Sequence, residues 1–244
     1  MRKFIIKVFY HPVLFFFLLP IFYLALGSLF ALEYNQLNVL SLFVFYIFVF
    51  VNQMLENMFL RIPNDDFELS KPFVTTLEII NALILLYFGL RHSWIALLVL
   101  LGFTLIIQLQ FLFSYYDLEQ LSAVITNFFK VILLNGFAFY IGTKFIHTRF
   151  IPYYFGLFLP FYLYEAARPD SKENKKILVT LIGLGYLIAG ALLWQHLGLL
   201  TLSLLLSLPF AWVLVKEYSR KTAAIYTIIF SVLYIGLIGV ALFV

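Results

Sequence analysis

The chain has no cysteine among its 244 residues, and only 11% of them are charged. Without cysteine it has no disulfide, no thiolate nucleophile and no metal site built on sulfur ligands. A soluble domain carries about 25% charged residues, so these few charges cannot cover a surface that faces water. Hydrophobic residues make up 64% of the chain and the mean hydropathy is +1.02. The composition predicts an integral, multi-pass membrane protein, which in a bacterium would lie in the inner membrane.

Apolar runs separated by charged or turn-forming clusters predict about nine transmembrane helices. We expect one all-α helical bundle over residues 1–244, with connections of only a few residues. The first run is long enough to be a span rather than a cleaved signal peptide. The tightest breaks fall at 91–93 and 194–196, and a kink at either would change the count. The expected spans are 11–32, 38–56, 73–90, 93–114, 122–142, 150–167, 177–193, 197–214 and 222–243.

The basic residues predict an orientation with the N-terminus in the cytoplasm. This orientation puts twelve of the sixteen Lys and Arg residues on the inner side and three on the outer side, with Lys130 inside the fifth span. Such a bias is what the positive-inside rule describes. Most acidic residues fall on the same inner side, which predicts a polar surface there. No basic stripe is interleaved with exposed aromatics, so we expect no nucleic-acid partner, and the four scattered histidines do not predict a zinc site.

Two segments carry acidic residues from a helix end into a charged loop. Asn52 and Glu56 are four residues apart and therefore share one helix face. A carboxylate inside a span is costly and usually faces a polar cavity or partner. Taken alone, Glu56 could equally reach the interface while Asn52 bonds a neighbouring helix. The loop that follows contains Arg61, Asp65, Asp66, Glu68 and Lys71.

The same layout returns four spans later, where Glu165 ends the sixth span. Two such segments, near 52–73 and 165–176, predict two similar halves around a central cavity that opens to the cytoplasm. Carboxylates there would hold Mg²⁺, which prefers oxygen ligands and shares them with phosphates. Arg and Lys would neutralise the remaining phosphate charge. The second loop contains Arg168, Asp170, Lys172, Glu173, Lys175 and Lys176.

The order of these features resembles the UbiA-type superfamily of intramembrane prenyltransferases. Its members have nine helices and two Asp-rich motifs, one after helix 2 and one after helix 6. Residues 52–56 resemble the opening of the first motif, NDxxDxxxD, and residues 170–183 resemble the tail of the second. Shorter stretches resemble the start of the first helix, the trailing Arg-Pro-Leu of the first motif and the loop after helix 4, namely Tyr10-His11-Pro12, Lys71-Pro72-Phe73 and Phe113-Ser114-Tyr115.

The resemblance implies Mg²⁺-dependent transfer of a prenyl group from an isoprenyl diphosphate to a lipophilic acceptor, with an aromatic acceptor expected first. It implies Asn52, Glu56 and Asp170 as catalytic residues. The implied Mg²⁺ ligands are Glu56, Asp170, Glu173 and Glu165. The implied diphosphate-binding residues are Arg61, Lys71, Arg168, Lys172 and Tyr115.

The motifs depart from the family pattern. Gln53 and Leu60 stand where the first motif has Asp, Glu56 replaces another Asp, and Ala166 occupies an acidic position of the second. The sequence therefore predicts at most a reduced version of the two-metal site.

Two other function classes stay open. The reduced motifs also suit a family member that has lost catalysis and acts as a lipid-binding or scaffold membrane protein. A small transporter would use Glu56, Lys130 and Asp170 as coupling residues. That reading predicts polar groups near the bilayer midplane, whereas nearly all acidic residues are expected at the inner edge.

Other polar and small residues inside the spans predict helix contacts. Gln108, Gln110 and Asn135 are expected to form hydrogen bonds between helices. The glycines of the seventh span are expected to allow close helix packing. They are Gly183, Gly185 and Gly190.

Overall fold

The computed structural model describes residues 12–34, 36–59, 70–116, 118–167 and 175–243. All regular structure in these residues is helical. The α-helices are α1 Pro12–Glu33, α2 Val39–Phe59, α3 Lys71–Arg91, α4 Trp94–Gln108, α5 Gln110–Tyr115, α6 Glu119–Phe128, α7 Leu134–Thr143, α8 Ile151–Ala166, α9 Lys175–Leu197, α10 Leu208–Lys216 and α11 Arg220–Phe243. A π-helical segment, Phe129–Leu133, joins α6 to α7, and 3₁₀ segments Thr148–Phe150 and Gly198–Ser207 precede α8 and α10.

Six helical stretches are long and apolar enough to cross a membrane. This finding supports the membrane protein that the composition predicts. The described residues give six such stretches, whereas the sequence predicts about nine spans. The stretches are Phe15–Glu33, Val39–Phe59, Lys71–Arg91, Glu119–Thr143, Lys175–Lys216 and Arg220–Phe243.

The longest stretch, Lys175–Lys216, covers 42 residues but does not run straight. Gly198 has a φ of +50°, in the left-handed region that glycine tolerates best, and α9 ends just before it. The hydroxyl of Tyr186 hydrogen-bonds that of Ser207, 21 residues further on. A straight helix would separate these residues by about 30 Å, so the chain turns back at Gly198. The break lies a few residues later than the predicted 194–196.

The other tight break, at 91–93, is also a turn. α3 ends at Arg91, and the side chain of Ser93 accepts a hydrogen bond from the backbone N–H of Ala96, which caps the start of α4. The two helices then pack against each other.

The chain divides into two compact units. Unit 1 combines Met1–Gln36 with Lys130–Val244, and unit 2 is Leu37–Phe129. The division falls at the π-helical segment, between α6 and α7.

In unit 1, α1 packs along α7 while α8 packs against α9 and α11. The contact of α1 with α7 is close, because a Cβ at Gly27 would overlap the backbone carbonyl of Asn135. The side chain of Asn135 accepts a hydrogen bond from the N–H of Gly27 (3.1 Å) and donates one to the carbonyl of Val131. Asn135 therefore forms the interhelical bond that the sequence predicts.

In unit 2, α2 packs against α3, α4 and α5. One part of its interior is aromatic and is formed by Phe45, Phe48, Phe88 and Phe103, all fully buried. The part towards the end of α2 is polar, and it contains the first of the predicted motif segments.

Candidate functional site

Near its end, α2 buries three polar side chains in the interior of unit 2. Asn52, Gln53 and Glu56 are 0%, 5% and 3% exposed. Asn52 and Glu56 share one buried helix face, as the spacing predicts. Since Glu56 is buried in the protein rather than exposed at the helix end, its polar environment is built by other helices of the unit.

Glu56 is held by α5. Its Oε1 accepts a hydrogen bond from Nε2 of Gln110 (2.8 Å), and the same Nε2 donates to Oγ1 of Thr126 on α6 (2.9 Å). The helical axis breaks at Leu109 between α4 and α5, and Gln110 starts the new helix. The carboxylate oxygen of Glu56 on α2 is thus held by Gln110 on α5, which is itself bonded to Thr126 on α6.

Asn52 is held by α3 and, through it, by α4. Its amide Nδ2 donates to the carbonyl of Phe48 (2.9 Å) and to Oδ1 of Asn81 (3.1 Å). The amide of Asn81 in turn donates to Oγ1 of Thr104 (3.3 Å). These bonds form a short polar chain across α2, α3 and α4 beside Glu56.

Two oxygens in this turn of α2 have no hydrogen-bond partner among the described residues. They are Oδ1 of Asn52 and Oε1 of Gln53, both buried. An unsatisfied buried acceptor costs about 1–3 kcal/mol, so each oxygen calls for a hydrogen-bond donor or a cation. Mg²⁺ binds carboxylate oxygens as a hard, oxygen-seeking cation. The oxygens of this turn therefore fit a hard cation or a ligand that donates hydrogen bonds.

The polar cluster is confined to one end of unit 2. Two helical turns before Asn52, the rings of Phe45 and Phe48 stack, and they contact Phe88 and Phe103. Beyond this aromatic layer, Ser41 hydrogen-bonds the hydroxyl of Tyr87 (3.0 Å). The aromatic layer separates the polar group around Glu56 from the polar group around Ser41.

A half-buried carboxylate, Glu78, lies on α3. Its Oε1 accepts a hydrogen bond from Nε2 of Gln108 (2.7 Å). Gln108 and Gln110 thus both form the interhelical bonds predicted for them, each to a glutamate.

The second motif segment places Glu165 in unit 1. Its Oε1 lies 2.7 Å from Nζ of Lys130, and the two side chains are only 7% and 4% exposed. The hydroxyl of Tyr23 donates to the same oxygen at 3.4 Å. Lys130 lies in the π-helical segment, a form that occurs mostly as a single turn within an α-helix and often at functional sites.

A second cation, Arg220, lies at this end of unit 1, next to the ring of Tyr164. The guanidinium of Arg220, at the start of α11, lies 5.1 Å from the ring centroid of Tyr164. Nζ of Lys130 similarly lies 5.9 Å from the ring of Tyr23. Glu165, predicted as a metal ligand, is therefore bonded to a lysine within an aromatic environment.

The remaining predicted site residues fall into two groups. Tyr115 is 78% exposed at the end of α5, with its ring against Tyr116, and Lys71 is exposed at the first turn of α3. Arg61, Arg168, Asp170, Lys172 and Glu173 lie outside the described residues. Within the ranges that are described, no three His, Asp or Glu residues are grouped closely enough to hold a metal.

Several residues of these networks were not predicted as site residues. They include Gln110, Thr126, Asn81 and Thr104 around α2, and Tyr23 beside Glu165. The available signal was the same for each: a polar side chain inside an apolar run needs a partner. The sequence predicted such partners for Gln110, but it gave no means of pairing it with Glu56.

The comparisons with known proteins give no relative. No protein-family model, no curated protein and no solved structure matches this chain.

Proposed function

We propose that this protein is an intramembrane enzyme that transfers a prenyl group from an isoprenyl diphosphate to a lipophilic acceptor, such as an aromatic molecule. The observation that carries the proposal is the buried turn of α2, where the Glu56 carboxylate lies beside two unpartnered amide oxygens, those of Asn52 and Gln53. This turn lies close to the end of α2, and its buried oxygens are the ones that would bind a charged ligand held at that end of the helix.

In this proposal, acidic residues of the chain would bind a cation and basic residues would bind phosphate. Glu56 in unit 2 would be an Mg²⁺ ligand, and the family resemblance assigns the same role to Asp170 and Glu173 of the second motif loop. When bound, the ion would stabilise negative charge on the departing diphosphate. Arg61, Arg168 and Lys172 would bind the phosphate oxygens. Gln110 and Thr126 fix the orientation of Glu56, while the aromatic layer closes the polar cluster on one side.

The proposal includes the topology predicted from the sequence. Nine spans with a cytoplasmic N-terminus would bring both motif loops to the inner face, with a central cavity open to the cytoplasm. The six helical stretches that are long and apolar enough to cross a membrane support a multi-pass arrangement. So does the position of Glu56 and Glu165, each within a turn of the end of its helix.

An apolar groove in unit 1 supports a lipophilic substrate. It has a volume of about 450 Å³ and is lined by Val179, Ile182 and Trp212 among others. Ligand pockets commonly span about 300–1,000 Å³. The groove starts within two turns of Lys175, so it lies on the helix that follows the second motif loop. In the proposed enzyme it would take the isoprenoid chain.

The alternative is a catalytically impaired relative that binds lipid or acts as a scaffold. The observation in its favour is Glu165, because a carboxylate that bonds Lys130 at 2.7 Å is poorly suited to bind a metal. The transporter reading is less favoured, since the aromatic layer interrupts the polar groups along α2.

The test is binding of geranyl and farnesyl diphosphate to the purified protein, with Mg²⁺ or with a chelator. The variants are Glu56→Gln, Asp170→Asn and a matched control, Glu78→Gln. Glu78 also accepts a bond from a glutamine, but it does not belong to the motif segment. We expect Mg²⁺-dependent binding that weakens at least about tenfold in the first two variants, as after loss of about 1.4 kcal/mol, and is unchanged in the control.

Thermal unfolding of each variant separates a folding defect from a binding defect. Binding that ignores the metal and both substitutions would overturn the proposed mechanism. Metal-dependent binding without prenyl transfer to any of a panel of aromatic acceptors would favour the impaired relative.

A further inference from the structure

Unit 1 contains a second polar pocket at the end opposite to Glu165. This end pocket has a volume of about 110 Å³ and is lined by Glu33, Arg149, Tyr153 and His196, with Phe30 and Phe150 among its apolar walls. Tyr153 and Glu165 are twelve residues apart on α8, which corresponds to about 18 Å. The end pocket is therefore separate from the second motif segment, and it is too small for an isoprenoid chain.

The two opposite charges of the end pocket do not pair with each other. The structure records no ion pair for Glu33 or Arg149 with any described residue, although both line the same cavity. Both charges act electrostatically on the hydroxyl of Tyr153. Both side chains are exposed at the mouth of the end pocket, so a ligand that carries one negative and one positive group would pair with both at once.

Neutral polar groups complete the wall between the two charges. The hydroxyl of Tyr153 and Nε2 of His196 lie 2.7 Å apart and share a hydrogen bond. The backbone carbonyl of Tyr153 accepts a hydrogen bond from the hydroxyl of Tyr234 (2.9 Å), which fixes this turn of α8. On the apolar side, Phe30 and Phe150 stack with centroids 4.1 Å apart. These contacts place the hydroxyl of Tyr153 and the ring of His196 between the two charges, beside an aromatic wall.

The end pocket lies at the level expected for lipid head groups. Its residues come from the last turns of α1, α9 and α11 and from the start of α8. Each of those three helices is 22–24 residues long, which is enough to cross the apolar part of a bilayer. Trp194, two residues before His196, is more than half exposed, and tryptophan is enriched at the membrane–water interface.

We propose that the end pocket binds a small zwitterion, an ammonium group a few bonds from a phosphate, as in an ethanolamine phospholipid head group. Arg149 binds the phosphate as a guanidinium suited to phosphate oxygens. Glu33 accepts hydrogen bonds from the ammonium, and the hydroxyl of Tyr153 and the ring of His196 contact the phosphate. The shared chemistry also admits the free head group, phosphoethanolamine.

The experiment is a native mass-spectrometry titration of the detergent-purified protein with three lipids. Phosphatidylethanolamine carries both charges and N–H donors, phosphatidylcholine carries both charges without N–H donors, and phosphatidylglycerol carries only the phosphate. Soluble phosphoethanolamine is added as a competitor. The variants are Arg149→Gln and Glu33→Gln, with Arg91→Gln as the control because Arg91 is exposed and does not line the end pocket.

We expect the wild type to bind phosphatidylethanolamine about tenfold more tightly than the other two lipids, as for one charge-assisted hydrogen bond. Glu33→Gln should abolish this preference, Arg149→Gln should weaken all three lipids, and Arg91→Gln should change nothing. Competition by soluble phosphoethanolamine at matched concentration would identify the free head group as a ligand, and its failure would identify the lipid. Equal affinities for the three lipids in the wild type, or a preference that survives Glu33→Gln, would overturn the proposal.

Discussion

The two units bury carboxylates in different ways. In unit 1, Glu165 meets a lysine at 2.7 Å and a tyrosine hydroxyl at 3.4 Å. In unit 2, the amide groups of Gln110 and Gln108 bond Glu56 at 2.8 Å and Glu78 at 2.7 Å. The hydrogen-bond distances are similar, but only the lysine brings an opposite charge.

This difference separates two roles that the sequence could not distinguish. A lysine neutralises its carboxylate, and the buried pair then has little net attraction for a further cation. An amide fixes the position of a carboxylate without itself bringing an opposite charge. Glu165 is therefore suited to a structural role at the π-helical segment, whereas the bond from Gln110 orients Glu56.

The largest effect is expected from breaking the ion pair of unit 1. Lys130→Met leaves the Glu165 carboxylate buried without its lysine, and we expect a loss of about 3–5 kcal/mol in the free energy of unfolding. The measurement is denaturation in mixed detergent micelles, followed by tryptophan fluorescence. Lys175→Met provides the control, because Lys175 is exposed at the start of α9.

The double variant Lys130→Met/Glu165→Gln tests whether charge is the cause. Replacing both members of a buried ion pair is often neutral, so we expect most of the lost stability to return. A double variant as unstable as Lys130→Met alone would mean that packing at the π-helical segment, rather than charge, dominates.

An intermediate effect is expected from removing the amide that positions Glu56. Gln110→Leu deletes the bonds to Glu56 and Thr126, and a hydrogen bond to a charged group contributes about 1.5–3 kcal/mol. Gln108→Leu removes the equivalent bond to Glu78, which is only half-buried, so its effect should be smaller. Urea or detergent unfolding of both variants gives the comparison, and equal losses would contradict the role of burial.

The sequence predicted where the helices lie because long apolar runs and charged breaks depend on local composition. It also predicted that Asn52 and Glu56 share a face, since a spacing of four residues sets this in any α-helix. The sequence also predicted that Lys130 lies within an apolar stretch, where the structure pairs it with Glu165.

Partners that are distant in the sequence could not be predicted. Glu56 and Gln110 are 54 residues apart, and only the packing of α2 against α5 brings them together. The π-helical turn at Lys130 leaves no signal in the composition. The glycines of the seventh span are a similar case. A Cβ at Gly185 would contact Leu159 at 3.6 Å, but one at Gly183 or Gly190 would have no neighbour within 4 Å, and tighter approaches occur elsewhere, as at Gly27 and Gly142. A small residue permits a contact, but the neighbouring helix decides whether one forms.

The smallest effect is expected from the neutral polar chain of unit 2. Asn81→Leu removes the bond from Asn52 and the bond to Thr104. Hydrogen bonds between membrane helices average about 0.6 kcal/mol and reach about 1.7, so Asn81→Leu should cost less than Gln110→Leu, where a charged acceptor is involved. A double-mutant cycle with Asn52→Leu isolates the amide–amide term, which we expect to be near the average value. A coupling energy as large as that of Lys130 and Glu165 would show that neutral amides stabilise the helix contacts of unit 2 as strongly as the ion pair stabilises those of unit 1. The two units would then differ in the charge of their buried groups and not in the strength of these interactions.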